Sequence, residues 1–455
     1  MVHKSAKHEI NMCEGPIFTK LLKFSLPIVF ASVLQLLFNT ADMIVVGKFG
    51  SGGSLAAVGA TNSITNLFVN VFLGVSLGAG AQTARCYGSD DSDGAHKTVH
   101  TSVALGLISG LFISVLGIIL APYLLRMMDC PSDVIGKSTL YMRIYFCGMP
   151  FSMLYNFESA ILRAVGDSKR PLYYIATAGV VNVGLNLIFV IFLKMDVAGV
   201  ATATVISQII SVALTTRALL LDDGMIKLEL KKIKIHIIEL KHICLIGVPA
   251  GLQSCLFSIS NVTIQTSINS FGSAVMAGSA ASQSVEGYVY ALMHSVAQAS
   301  LNFAAQNFGA KKYKRIHKVL LESILSATIL GFVAGNIVNI YSENLLSLFT
   351  DVPAEILAGA ERVSIVCTLY WLCGILDVVN FVLRGIGCSL PPMLISIVGV
   401  VGIRIVWVHT YFVSHRSIYS LLISYPVSWI VVIIVELIVY VLYTTKKFNY
   451  SIASK

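Results

Sequence analysis

Charge is what this sequence is short of. Only 12% of its 455 residues are Asp, Glu, Lys or Arg, against 56% apolar residues, where soluble chains carry about 25% charge. A soluble globule of this composition would have almost no polar surface to enclose its core, and a mean hydropathy of +0.80 excludes a disordered chain. Paired cysteines are missing too. The nine cysteines form no CxxC, and Cys147, Cys244, Cys255, Cys367, Cys373 and Cys388 lie in or beside apolar runs, where small packing roles outweigh a metal or redox site. There is no HExxH and no phosphate-binding GxxxxGK[ST], so zinc hydrolysis and ATP-driven pumping find no support. The chain is expected not to be an enzyme and to need no cofactor.

What recurs instead is the apolar run of about 20 residues, the length that crosses a bilayer. About twelve such runs are expected as helices: 24–46, 55–84, 98–121, 134–162, 171–193, 197–220, 243–269, 275–305, 319–341, 358–383, 392–413 and 418–443. The first is longer than a signal-peptide core and no small-residue cleavage site follows it, which makes it an uncleaved span. The expected fold is therefore an all-α polytopic membrane protein with lipid around it.

The net charge of +9 suggests nucleic acid until the basic residues are placed. Lys and Arg crowd alternate connections, as at Lys20 and Lys23, Lys231, Lys232 and Lys234, and Lys311 to Lys318. That is the positive-inside bias. It puts both termini in the cytoplasm of a multi-pass plasma-membrane protein and leaves no nucleic-acid footprint. The expected division is a cytoplasmic segment 1–23, a first lobe 24–221, a cytoplasmic linker helix 222–242, a second lobe 243–443 and a tail 444–455. For the linker, a helix lying in the membrane interface and a solvated connection are both open.

The halves repeat at a shift of about 221 residues, a spacing read from five anchors in one order. Pro27 followed by Asn39 becomes Pro249 followed by Asn261, FGS at Phe49 becomes FGS at Phe271, and YGSDDSDGAHK ending at Lys97 becomes FGAKKYKRIHK ending at Lys318. LLRMMDCP from Leu124 becomes LLSLFTDVP from Leu345, and LRAVG from Leu162 becomes LRGIG from Leu383. Six helices per half make both halves start on the same side. The repeat is then parallel, an architecture of secondary transporters with the substrate path between the halves.

Polar residues inside the spans are the candidate functional groups. Ser32, Gln35, Asn39 and Asp42 form one stripe on the first helix, since spacings of three and four share a face. A carboxylate at the centre of a span costs about 2.5–3.5 kcal/mol, so Asp42 is either functional or an interfacial acid paired with Lys48 or water. The matching second-half helix carries Ser254, Ser258, Asn261 and Gln265, with Ile264 in the place of Asp42. The acid thus belongs to one lobe only. Asn182 and Asn186 on the fifth span, and Thr204, Gln208 and Ser211 on the sixth, offer oxygen ligands or interhelical hydrogen bonds.

In the second half, Glu286, Tyr290, His294, Gln298 and Asn302 follow one another at intervals of four along the eighth span. Glu286 could hold a proton or attract a cationic substrate; the alternative is a pair with a basic or tyrosine partner. Asp377 stands seven residues before Arg384 and Glu158 five before Arg163, so a local ion network competes with function at both. Arg404 and His409 on the eleventh span are similarly open. Gly74 and Gly78 make a GxxxG, a close-packing contact.

Together these segments resemble a known family, the multidrug and toxic compound extrusion transporters. The resemblance rests on P-x11-N-x2-D running into VGKFG, LAAVGA from Leu55, LRAVGDSKRP from Leu162 and AAQNFGAKK from Ala304, and it covers roughly residues 16–445. It implies two six-helix lobes around a V-shaped cavity and cation-coupled export of small organic compounds by a monomer. It also implies an amino-terminal cation site at Asp42, Asn182, Asn186 and Thr204, where a carboxylate, amide carbonyls and a hydroxyl suit a small hard cation. With one carboxylate, a single sodium ion or a single proton is neutralised, and sodium is favoured. Glu286, Asp377 and Tyr290 are the candidate substrate or proton residues of the second lobe. The seventh span has no acid, which departs from some branches of the family. The expected function is an antiporter exporting cationic amphiphiles against sodium or protons. The alternative is a flippase for lipid-linked oligosaccharides from the same superfamily, which would show more spans and a strongly cationic cavity.

Overall fold

The computed structural model describes residues 9–128 and 130–453, and these are helical throughout with no strand among the described residues. The first half contains α1 (Ile17–Phe49), α2 (Ser54–Gly88), α3 (Ser92–Met127), α4 (Ile135–Cys147), α5 (Met149–Ala164), α6 (Lys169–Asn186, continued by a π-helical turn Leu187–Phe192) and α7 (Asp196–Leu220). The second contains α8 (Ile237–Asn269), α9 (Ser273–Gly309), α10 (Tyr313–Ile340), α11 (Ser342–Leu346), α12 (Pro353–Val366) and α13 (Tyr370–Gly385). It ends with α14 (Leu390–Ser396, continued by a π turn Ile397–Gly402), α15 (Ile403–His409), α16 (Tyr411–Ser414), α17 (Ile418–Leu422) and α18 (Ser424–Ala453).

Among the described residues, ten stretches are long and apolar enough to cross a membrane. The two other expected spans fall on α4–α5 and on α9. The former is split where Gly148 and Pro150 meet, because proline has no N–H to continue the ladder and fits only a first turn. The latter has 37 residues but is rich in serine and other polar side chains. The repeat keeps the split: α12 passes through one 3-10 turn, Cys367–Leu369, into α13, at the point that matches Gly148. Thr368 there turns its hydroxyl back on the Ser364 carbonyl at 2.6 Å, a bond that bends helices.

The chain forms two compact units. One comprises Phe30–Gly251 with the segment ending at Asn11, the other Met12–Val29 with the chain from Leu252 onward. Of the three exchange points, those after Val29 and Gly251 lie just past the repeat-related prolines, Pro27 in α1 and Pro249 in α8.

In the first unit, Ile113, Met142, Phe146, Met149 and Met153 form a fully buried core between α3, α4 and α5. Here α2 meets α8 backbone to backbone. A Cβ on Gly74 would lie 2.1 Å from the Gly251 nitrogen, and one on Gly78 2.3 Å from the Ile243 carbonyl oxygen, so the GxxxG is a close contact. The stretch GVSLG from Gly74 also has the letters of a nucleophile elbow. It lies inside α2, with Ser76 bonded to the Leu73 carbonyl at 2.7 Å, whereas that motif requires a sharp strand-to-helix turn.

The linker differs from the expected helix over 222–242. The chain instead makes a turn at Gly224–Lys227 and a 3-10 turn, Leu230–Lys232, before α8 begins at Ile237. Ile226 and Leu228 pack into the cluster of Val99, Ile161, Leu162 and Leu219, while Met225 packs on Cys86 and Ala95. Anchoring these closely spaced side chains in two clusters keeps the segment out of a helix. The residues after it line a cavity of about 710 Å³ with His96, Lys97 and His100 of α3.

In the second unit, Ile264, Val366, Leu376, Trp429 and Val432 form the main core. The chain before α1 is built into it: Met12 is fully buried, and its carbonyl accepts from Asn307 Nδ2 at 3.1 Å and Arg315 Nε at 3.3 Å. Within the expected segment 1–23, the chain is docked at Met12, and α1 begins at Ile17.

Candidate functional site

Three helices of the first unit bring the expected cation-site residues together. Asp42 comes from the last third of α1, Asn182 and Asn186 stand one turn apart on α6, and Thr204 lies two turns into α7. Asn186 is fully buried and Asn182 nearly so. Immediately after Asn186 the helix widens into its π turn, an irregularity that often accompanies functional sites. Val45 and Val46, soon after Asp42 on α1, share one hydrophobic cluster with Val190, Val197 and Val200, and Met43 and Tyr145 pack against that cluster.

Asn186 Nδ2 donates to Asp42 Oδ1. Asn182 has two arrangements. With its oxygen toward Asn186 it accepts from Asn186 Nδ2 at 3.2 Å, and its nitrogen reaches Thr204 Oγ1 at 3.5 Å. Turned about, its nitrogen donates to Asp42 Oδ1 at 2.9 Å and its oxygen accepts from the Thr204 backbone N–H at 3.3 Å. Asn186 Oδ1 is buried with no hydrogen-bond partner. A buried carbonyl oxygen without a donor, in the residue that bonds the half-buried Asp42 carboxylate, fits a cation ligand, since such an orphan is otherwise costly.

Lys48 is not the partner of Asp42. Gln35 and Asn39 of the same stripe are exposed, so only its last member is drawn into the cluster. Gln208, an alternative ligand on α7, sits apart with Oε1 buried and unpartnered, in the space that a side chain on Gly148 would fill.

The second unit separates its expected candidates. Glu286 on α9 pairs with Arg362 on α12, and Arg362 Nη1 also donates to Ser279 Oγ at 3.0 Å. Arg362 lies inside α12 and is buried there. Tyr290 and Asp377 do meet, through His294: the Tyr290 hydroxyl and Asp377 Oδ2 lie 3.0 and 3.1 Å from His294 Nδ1. Asp377 does not form an ion network with Arg384. Seven residues of helix rise about 10 Å, and Arg384 instead donates to Gln253 Oε1 at 2.7 Å. Glu158 accepts from Thr215 and from Thr216 Oγ1, the latter at 2.7 Å. Arg404 donates to Ser428 Oγ at 3.2 Å and lies 4.0 Å over the Tyr425 ring. His409 is exposed.

Glu436 on α18 is a fully buried acid that is not among the expected site residues. Its signal was plain in kind: a lone carboxylate in the run WIVVIIVELIVYVLY. Without a polar neighbour at helical spacing it formed no stripe; its partners come from other helices. No group of three or more His, Cys, Asp or Glu suited to a transition metal occurs among the described residues.

The MatE family model matches residues 27–188 and again residues 249–409, one match per repeat. The chain is 28% identical over 392 residues to the probable multidrug resistance protein YoeA of Bacillus subtilis, spanning 84% of each chain. It is 26% identical over 390 residues to the probable multidrug resistance protein YpnP of the same organism, spanning 85% of this chain and 87% of that one. Its fold is similar to a solved outward-facing conformation of a multidrug resistance MATE family transporter of the MOP superfamily, with a TM-score of 0.88 at 21% identity, covering 98% of this chain and 99% of that one.

Proposed function

The chain belongs to the MatE family of multi-pass membrane transporters, and from that premise we propose that it is a secondary antiporter exporting small organic cations in exchange for sodium or protons. The observation that carries this reading is the Asp42 cluster, where a carboxylate, two asparagines and a threonine leave the buried Asn186 Oδ1 without a donor. A bound sodium ion or proton would neutralise Asp42 and turn the Asn182 oxygen toward it. Coupling requires that the cation bind one conformer more tightly than the other, because equal affinity shifts no equilibrium. Sodium is favoured, since a single carboxylate with neutral oxygens matches one monovalent charge and offers several hard ligands.

The His294–Tyr290–Asp377 cluster is the second candidate proton or substrate site. Glu286, already neutralised by Arg362, serves to hold α9 against α12. The basic connections are assigned to the cytoplasm with both termini, in the plasma membrane and as a monomer. The names of the relatives favour drug export over the flippase alternative.

The test is fluorescent organic-cation transport in proteoliposomes, driven separately by a sodium gradient and by a pH gradient, for wild type and Asp42→Asn. Gradient-driven export lost in a folded Asp42→Asn supports the reading, and the more effective gradient names the ion. Normal transport by the variant removes Asp42 from coupling. If wild type moves no cation, the flippase alternative returns.

A further inference from the structure

The acid on α18 has no role in the reading above, and its surroundings lack one donor. Glu436 is fully buried. Its Oε1 accepts from Asn380 Nδ2 of α13 at 3.0 Å and from Ser396 Oγ at the end of α14 at 3.0 Å. Its Oε2 has no partner, and neither does Asn380 Oδ1; Asn380 is itself only 1% exposed. Two bare acceptor oxygens in one dry cluster are unfavourable, and an ionised carboxylate among them is more so. A protonated carboxyl has an O–H to donate. Placed on Oε2, it removes the charge and supplies the missing donor, with Asn380 Oδ1 the vacant acceptor of the same cluster.

The charged groups around Glu436 leave this intact. From α13 come Asp377, held by His294, and Arg384, which donates to Gln253 and has an unpartnered Nε. The segment from Leu390 to Gly402 carries no titratable side chain. From α15, Arg404 bonds Ser428, two turns back along α18. From α10, His317 bonds the Tyr440 hydroxyl one turn on, at 2.9 Å. None of them forms an ion pair with Glu436.

The repeat supplies a contrast. The shift that superimposes LRAVG on LRGIG places Glu436 over Thr215 and Asn380 over Ser159, next to Glu158. Each half therefore buries one carboxyl between its fourth and sixth spans, carried on opposite helices. In the first half, hydroxyls of Thr215 and Thr216 donate to both oxygens of Glu158, a set that satisfies a carboxylate. In the second half one oxygen is left over.

We propose that Glu436, with Asn380 Oδ1 as acceptor, is a proton-binding site of the second half and holds one proton in this conformation. Binding forms one O–H bond at Oε2 and breaks one in the hydronium ion that delivers the proton, which leaves as water. Any part this proton takes in driving export rests on the antiport reading; its presence does not.

The test is infrared spectroscopy of the full chain in lipid nanodiscs, following the carboxylic-acid C=O band and its shift in D2O as pH is varied. A neutral-pH band that survives Asp42→Asn but is missing in Glu436→Gln is the expected result. Glu436→Gln, which mimics the protonated form, should melt close to wild type. Asn380→Leu should keep the band but move it to higher frequency, and it serves if the glutamine variant does not fold. A spectrum unchanged by Glu436→Gln at every pH overturns the proposal. So does a band abolished by sodium, but not by choline, at fixed pH, which would make this a sodium site. Failure of gradient-driven transport with the band intact would fault the antiport reading alone.

Discussion

Glu286 and Arg362 close a bidentate ion pair within the second unit, Nε to Oε1 at 2.7 Å and Nη2 to Oε2 at 2.9 Å, with side chains only 7% and 4% exposed. Two charges so placed stabilise little against an apolar pair, but removing one strands the other, at a cost of about 3–5 kcal/mol. Arg362→Met is expected to lower the melting temperature in detergent and the yield of monodisperse protein. Adding Glu286→Gln to it should recover most of the loss. A single variant that melts like wild type would show that the pair carries no structural weight.

The Asp42 cluster makes a separate thermodynamic prediction, independent of transport. A ligand that binds only the folded protein stabilises it by about 2.7 kcal/mol at a hundred times its dissociation constant. Sodium in place of choline is expected to raise the melting temperature of wild type, and to have no such effect on Asp42→Asn or Asn186→Leu. Thermal denaturation across a sodium series checks this. An equal rise in all three proteins would mean that sodium acts elsewhere.

How much of this was legible in the sequence depends on where the partners lie. Asp42, Asn182 and Asn186 stood out because a polar group inside an apolar helix is conspicuous, and the two asparagines share a face of one helix. The split of α4 from α5 was hidden inside one apolar run, although Pro150 marked it. Glu436 does not stand out in the sequence, and the sequence leaves Glu286 two roles, for one reason. Their partners, Asn380 and Arg362, lie 56 and 76 residues away, and no local spacing reports a contact made by tertiary packing. The linker behaves in the opposite sense: LELKKIKIHIIELKHI has enough apolar residues for an amphipathic helix, but the anchoring of Met225 and Ile226 before it and of Leu228 at its start keeps the chain non-helical until Ile237, apart from one 3-10 turn.

Close helix contacts predict opposite outcomes at two glycines of the first unit. A side chain on Gly74 meets the backbone of Gly251 at 2.1–2.4 Å, whereas one on Gly184 meets nothing within 4 Å. Backbone cannot yield as a side chain does, so Gly74→Leu should cost at least the 1–3 kcal/mol or so of an overpacked core. Gly184→Ala should be neutral or stabilising, by up to about 1 kcal/mol of helix propensity. Melting temperatures of the two variants decide it; similar values would mean that α2 and α8 are not in backbone contact.

His294 allows a sharper test of the second half. Its Nδ1 lies within hydrogen-bond distance of both the Tyr290 hydroxyl and Asp377 Oδ2, and one ring nitrogen can donate or accept but not both. If Nδ1 carries hydrogen, it is shared between the phenol oxygen and an ionised Asp377. If it is bare, Tyr290 donates into it, and Asp377 stays in contact only by carrying a proton of its own. The protonation of Asp377 is therefore tied to the state of His294, and the pair should act as one element in export driven by a pH gradient. His294→Gln and Asp377→Asn are each expected to reduce that export, and the double variant should lose little more than the worse single one. Initial rates from the four proteins give the coupling directly, and contacting residues in one network should show about 1 kcal/mol or more. Tyr290→Phe should have a milder effect, because without the hydroxyl His294 Nδ1 keeps Asp377 Oδ2 as its partner. Losses that add fully would separate His294 from Asp377 and leave the carboxylate to work alone.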